Sequence, residues 1–164
     1  MNGIYLSRLP LSGKVFCTLY LVGIGCGALA AFAQAATAVG LSPAEVQASL
    51  APEMPMTHME HGQMSDENRK IRPSHTHLFG QTLIAGLLGL IFLFSSLGEG
   101  KKTLILALPF VGTVMDIGGM WLTRFVWPPL SVLVILGGGL FALGYVVITV
   151  VSLYDLWVRK EVRA

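Results

Sequence analysis

The sequence predicts an all-α integral membrane protein, a four-helix bundle with one long loop at its outer face. Three observations lead there. Hydrophobic residues make up 54% of the 164 and charged residues only 12%, about half the charged share of a soluble domain. Charges are absent from residues 15–39, 78–97 and 130–153, the first, second and fourth apolar runs, and Asp116 alone interrupts the third, residues 103–122. Each run reaches the roughly 20 residues that a helix needs to cross about 30 Å of hydrocarbon. Backbone groups in lipid find no water to bond, so each run is expected to be helical.

The first run follows Arg8 and Lys14 and contains Gly23, Gly25 and Gly27, which suit close helix packing. Its far end carries Ala31-Phe32-Ala33 and Ala33-Gln34-Ala35, both shaped like signal-peptidase sites. A retained span and a cleaved leader both stay open on these residues. Cys17 and Cys26 lie inside this run without Cys-x-x-Cys spacing and read as small packing residues.

Residues 40–74 form the long loop. Within it, Leu41 to Leu50 is expected to form a short helix, with Ser42 as cap and Pro43 in the first turn. Next comes a cluster of soft ligands: Met54, Met56, His58, Met59, His61 and Met64. Thioethers select Cu(I), and imidazole accepts either copper state, so these six are the candidate metal ligands. The composition resembles the Met/His-rich stretches of bacterial copper-handling proteins. The plainer reading is a solvated linker, which Glu53, Glu60, Asp66 and Glu67 suit equally well.

The second run opens with Ser74-His75-Thr76-His77-Leu78-Phe79-Gly80. Ser74 is the expected N-cap, which places both histidines in the first turn, where the helix dipole favours neutral imidazole. Residues two apart on a regular helix point about 200° apart. One metal therefore cannot take both rings unless His75 lies in a non-helical turn. Gln81, four residues past His77, shares its face.

Asp116 is the ionisable residue that sits deep in the third run, and such residues usually face the bundle interior with a partner. At 1.5 Å per residue it lies roughly 10 Å below that run's outer end, level with Gln81. Arg124 is two turns further along nearly the same face. His75, His77, Gln81, Asp116 and Arg124 are thus the candidate cofactor-binding residues, with a structural polar cluster as the other reading. Pro109 should bend the third helix. Gly86 and Gly89, Gly118 and Gly119, and Gly137 to Gly139 read as packing positions. Trp127-Pro128-Pro129 turns the chain before the fourth run, and Gly98-Glu99-Gly100 turns it between the second and third.

Arg8, Lys14, Lys101, Lys102, Arg159, Lys160 and Arg163 fall on one side and outnumber Arg69, Lys70, Arg72 and Arg124 on the other. The positive-inside rule then puts both termini in the cytoplasm. Trp121 and Trp127 mark one membrane interface and Tyr154 and Trp157 the other.

The pairing of Thr76 and His77-x-Phe79 with Asp116, Trp121-Leu122 and Arg124 is similar to a group of small bacterial four-helix membrane proteins. Those join a Thr-His-x-His-Leu-Phe helix to an Asp-x-x-x-x-Trp-Leu-x-Arg helix; here Ser74 stands where their first Thr is expected. The His-x-His-Leu-Phe phrase also resembles haem-binding helices, including relatives of the haem–copper oxidase main subunit. The resemblance implies a bacterial inner membrane, a periplasmic long loop, and haem b as an alternative to copper. Haem b with two axial histidines needs them on different helices, yet the first, third and fourth runs hold none. A Met115 or Met120 ligand, or a partner's histidine, would have to complete it. Covalent c-type haem is excluded by the lack of Cys-x-x-Cys-His.

Two function classes follow. One is a membrane protein presenting copper or haem at its outer face for redox or metal handling. The other is a non-catalytic accessory or assembly subunit, contacting other membrane subunits or its own copies within the lipid bilayer. An enzyme is disfavoured: there is no Ser/His/Asp arrangement, paired carboxylates or phosphate-cradling glycine loop. A net charge of +2 without a basic, aromatic-interleaved patch argues against nucleic acid.

Overall fold

A computed structural model of the chain describes residues 5–51 and 66–159, with side chains from Ser74 onward in the second stretch. It contains five α-helices: α1 (Leu11–Ala38), α2 (Pro43–Leu50), α3 (Asp66–Phe92), α4 (Glu99–Phe125) and α5 (Ser131–Trp157). No strand occurs among the described residues. Among the described residues, four segments are long and apolar enough to cross a membrane: Leu11–Ala38, Ser74–Phe92, Glu99–Phe125 and Pro128–Trp157. The protein is an all-α membrane bundle.

The tightest contact is the α4–α5 hairpin, closed by a 3-10 turn at Pro128–Leu130. Buried Gly112, Thr113, Asp116, Gly119 and Thr123 recur at helical spacing and form one stripe of α4. Gly137 and Gly144 answer from α5. A methyl group on Gly137 would meet the Asp116 backbone, and one on Gly112 would lie 2.7 Å from the Gly137 carbonyl. Lipid tails offer helices no hydrophobic reason to associate, so such backbone approach supplies the packing. Gly144 leaves room for the ring of Pro109, whose Cδ lies 2.6 Å from where a Cβ would be. By contrast, Gly86, Gly118, Gly138 and Gly139 have open space at that position, so only part of the expected glycine set packs helices.

The main apolar core lies in the half of the bundle away from α2. It joins Leu6 and Leu21 to Leu88 and Phe92 of α3 and to Tyr145, Ile148 and Leu156 of α5. The first half of α1 is fastened there: the Tyr145 hydroxyl donates to the Leu21 carbonyl at 3.4 Å and Trp157 Nε1 donates to Thr18 Oγ1 at 2.9 Å. Beyond Ala28 nothing comparable holds it, and Leu21 is the one buried residue of the whole helix.

Two local expectations need correction. Ser74 does not cap a helix, because α3 starts eight residues earlier and runs through it. The histidines therefore sit within a continuous helix, and the dipole argument for neutral rings lapses with the cap. Glu99 and Gly100 are also helical; Gly98 is the N-cap of α4, and the turn is made by Leu93–Leu97.

Candidate functional site

α2 lies across the end of the α4–α5 hairpin and seats Val46, 3% exposed, against it. Its start is a capping box. The Ser42 hydroxyl accepts from the Glu45 N–H and donates to the Glu45 carboxylate, which also takes the Ser42 N–H at 2.9 Å. Its last turn is tied to α4 by Arg124, which donates to the Leu50 carbonyl at 3.2 Å. Gly40 turns the chain from α1 into this cap with φ of 90°, a conformation that glycine adopts without strain.

Beneath α2 the candidate residues separate. Gln81 Nε2 of α3 donates to Asp116 Oδ2 of α4 at 3.0 Å, and Asp116 is 6% exposed. Both positions sit well inside the spans. Asp116 lies nine residues from the end of α4, about 14 Å along the axis. His77 is exposed on its surface but within electrostatic range of that carboxylate. His75 is exposed elsewhere on α3 and sets its ring against Phe79, centroids 4.7 Å apart at 60°. The helix being regular there, the two rings diverge and serve different surroundings. Arg124 is directed to α2, and its bond to Leu50 is at the helix end, two turns above Asp116. Ser74 takes a different part from the expected one: its hydroxyl accepts from Trp121 Nε1 at 3.2 Å, lacing α3 to α4.

Among the described residues no group of three or more His, Cys, Asp or Glu could hold a metal ion. Met54, Met56, His58, Met59, His61 and Met64 lie outside the described residues. Within the described part the chemistry is thus a buried carboxylate with an amide partner. An Asp at mid-span costs about 3 kcal/mol on insertion scales, and a buried interhelical hydrogen bond returns about 0.6 kcal/mol. One Gln81 bond does not offset the Asp116 charge. The other end of that amide, Gln81 Oε1, is buried with no hydrogen-bond partner.

A second buried carboxylate, absent from the sequence-based candidates, lies at the opposite end. Asp155 is 2% exposed and accepts from the Ser96 N–H at 2.7 Å and the Ser96 hydroxyl at 2.8 Å. Arg159 pairs with it at 3.6 Å and also donates to Ser96. Lys102, 8% exposed, donates to the Leu93 carbonyl at 3.1 Å and to Glu99 at 3.0 Å. These contacts finish the end of α3 and staple the α3–α4 turn to α5. The signals were Arg159 one helical turn after Asp155 and the serine pair in the turn.

Four apolar spans, a polar clamp at each end and a small-residue hairpin define an integral membrane helical protein. Residues 68–163, more than half of the chain, match the family model of a transmembrane helical domain, Aq_1264_TM, and the chain belongs to that family. The match takes in α3, α4 and α5 and begins after α1 and α2. No curated protein and no solved structure matches the chain.

Proposed function

We propose that this chain is a non-catalytic accessory subunit of a larger membrane assembly, seated in it through α1. The observation that carries this is the state of α1 itself. It is a 28-residue span in which only Leu21 is buried, while α3, α4 and α5 make the family domain without its second half. The face it leaves uncovered aligns Gly23, Gly27, Ala31 and Ala35, all exposed and spaced one turn apart. Small residues in that register let another helix approach closely. In the bilayer, the basic residues near the α3–α4 turn and the chain termini orient that end to the cytoplasm. The α2 end and the Met/His loop then face the periplasm of a bacterial inner membrane.

The test is native electrophoresis of the tagged chain extracted from its own membranes in mild detergent. The wild type should run in a defined heavier species, and a Gly23→Leu/Gly27→Leu variant should run as a single chain at unchanged abundance. Mass spectrometry of the heavier species separates a homo-oligomer from foreign subunits. Single-chain migration of both proteins, at equal abundance, would sink the proposal.

A second reading, a copper or haem b site supporting redox or metal handling, is favoured by one arrangement. Met54 to Met64 follow α2 in the sequence, and α2 lies at the same end of the molecule as His77. Copper would be held by the loop's thioethers and imidazoles, whereas haem b would take His77 with a ligand from Met115, Met120 or a partner. Metal analysis with a visible spectrum on protein purified after copper and haem supply decides it. Stoichiometric copper or a Soret band supports this reading; neither signal removes it.

A further inference from the structure

We infer that α1 escapes proteolytic processing: the two signal-peptidase-like sequences near its outer end are not cut, and the first run stays as a span of the bundle. Cleavage would fall after Ala33 or after Ala35, and both positions lie inside the helix, which continues to Ala38. A protease attacks a carbonyl whose oxygen is offered to its own hydrogen-bond donors. Here both oxygens are already engaged. The Ala33 carbonyl accepts from Thr37 Oγ1 at 2.9 Å. The Ala35 carbonyl accepts from the N–H groups of Val39 at 2.9 Å and Gly40 at 3.1 Å.

The turn that follows holds these bonds in place. Gly40 makes its bond from left-handed backbone. Glu45 closes the same turn by accepting from the N–H groups of Leu41 at 3.0 Å and Ser42 at 2.9 Å. α2 begins directly afterwards at Pro43, with Val46 buried against the hairpin. Drawing Ala31 to Ala35 into an extended strand therefore has to undo a helix end, a turn and a cap together.

The inner part of the helix supplies an independent argument. A leader that is removed leaves nothing of itself in the core. Leu6 and Leu21 are buried in one cluster with Leu88, Phe92, Ile148 and Leu156. The Leu6 N–H donates to the Phe94 carbonyl at 3.0 Å, in the turn after α3. Thr18 and Leu21 hold the bonds from Trp157 and Tyr145 of α5. Cleavage at either site would strip all of these contacts from α3 and α5. Docking through α1 requires this retention, but the reverse does not hold: α1 stays whether its outer part meets a partner helix or lipid.

Intact-mass spectrometry of the C-terminally tagged full chain, extracted from its own membranes, reads the outcome. The expected mass includes residues 5–38. A chain beginning at Gln34 or Ala36 overturns the proposal. Thermal unfolding of the full chain in detergent tests the packing. Leu6→Ala and Leu21→Ala should melt about 5 °C or more below the wild type, whereas Leu29→Ala, at an exposed position, should melt with it. Where Leu21→Ala does not fold, Leu21→Val makes the same comparison with a smaller shift. Equal melting of the wild type and the Leu6 and Leu21 variants also overturns the proposal, for α1 would then be no part of the core.

Discussion

Glu45 is fully exposed, yet its carboxyl is held below the ordinary value of 4.5, first by the Ser42 hydroxyl and then by the backbone N–H groups of Ser42 and Leu41. A depressed carboxyl contributes stability that is complete above the ordinary value and lost as pH falls through the lowered one. The α2 cap should therefore loosen only in acid, below about pH 4.5, read as faster amide exchange at the start of α2. Glu45→Gln should remove that pH dependence; an unchanged acid response in the variant would assign it elsewhere. At the opposite end, Asp155→Ala leaves the Ser96 N–H and hydroxyl without their acceptor. The expected cost is about 1–3 kcal/mol, measured by reversible unfolding in detergent. At this scale the sequence was informative in part. Counting residues from the span ends placed Gln81 and Asp116 at one level, because helix rise is constant. Asp155 escaped because hydropathy ends the fourth run at Leu153 while the helix continues to Trp157. Ser74 was misplaced because a serine before a run reads as a cap, although α3 had begun at Asp66.

Between elements, α4 and α5 are locked by glycines whose role depends on the side of the helix they occupy. Gly137→Ala drives a methyl into the Asp116 backbone, and overpacking of that kind costs about 1–3 kcal/mol. Gly138→Ala, one residue on, meets open space and should be neutral or gain up to about 1 kcal/mol from helix propensity. Thermal unfolding of the two variants in the same detergent separates them, and equal behaviour would contradict the described packing. The sequence showed a glycine-rich hairpin but not its register. An apolar run that faces lipid on one side and protein on the other lacks the polar stripe that marks a surface helix in water. Only the partner backbone distinguishes Gly137 from Gly138.

Across the whole molecule, the four spans were legible because the bilayer permits few alternatives: uncharged length and internal backbone pairing leave helices. What surrounds them was not, since lipid and a neighbouring helix ask for the same apolar surface. The distinction falls on α1, whose part up to Ala28 closes the core through Leu21 while its last ten residues, Leu29 to Ala38, touch no buried core. A nitroxide on Cys26, exposed between Gly23 and Gly27 in a Cys17→Ser background, reports what covers that face. The measurement is its collision rate with dissolved oxygen in native membranes, compared with the same chain isolated in lipid nanodiscs. If α1 docks against a partner helix, the rate in native membranes falls well below the isolated value, because that helix would exclude oxygen-rich lipid. Equal rates in the two settings would mean that α1 faces lipid, and the assignment as a docked subunit would have to be abandoned.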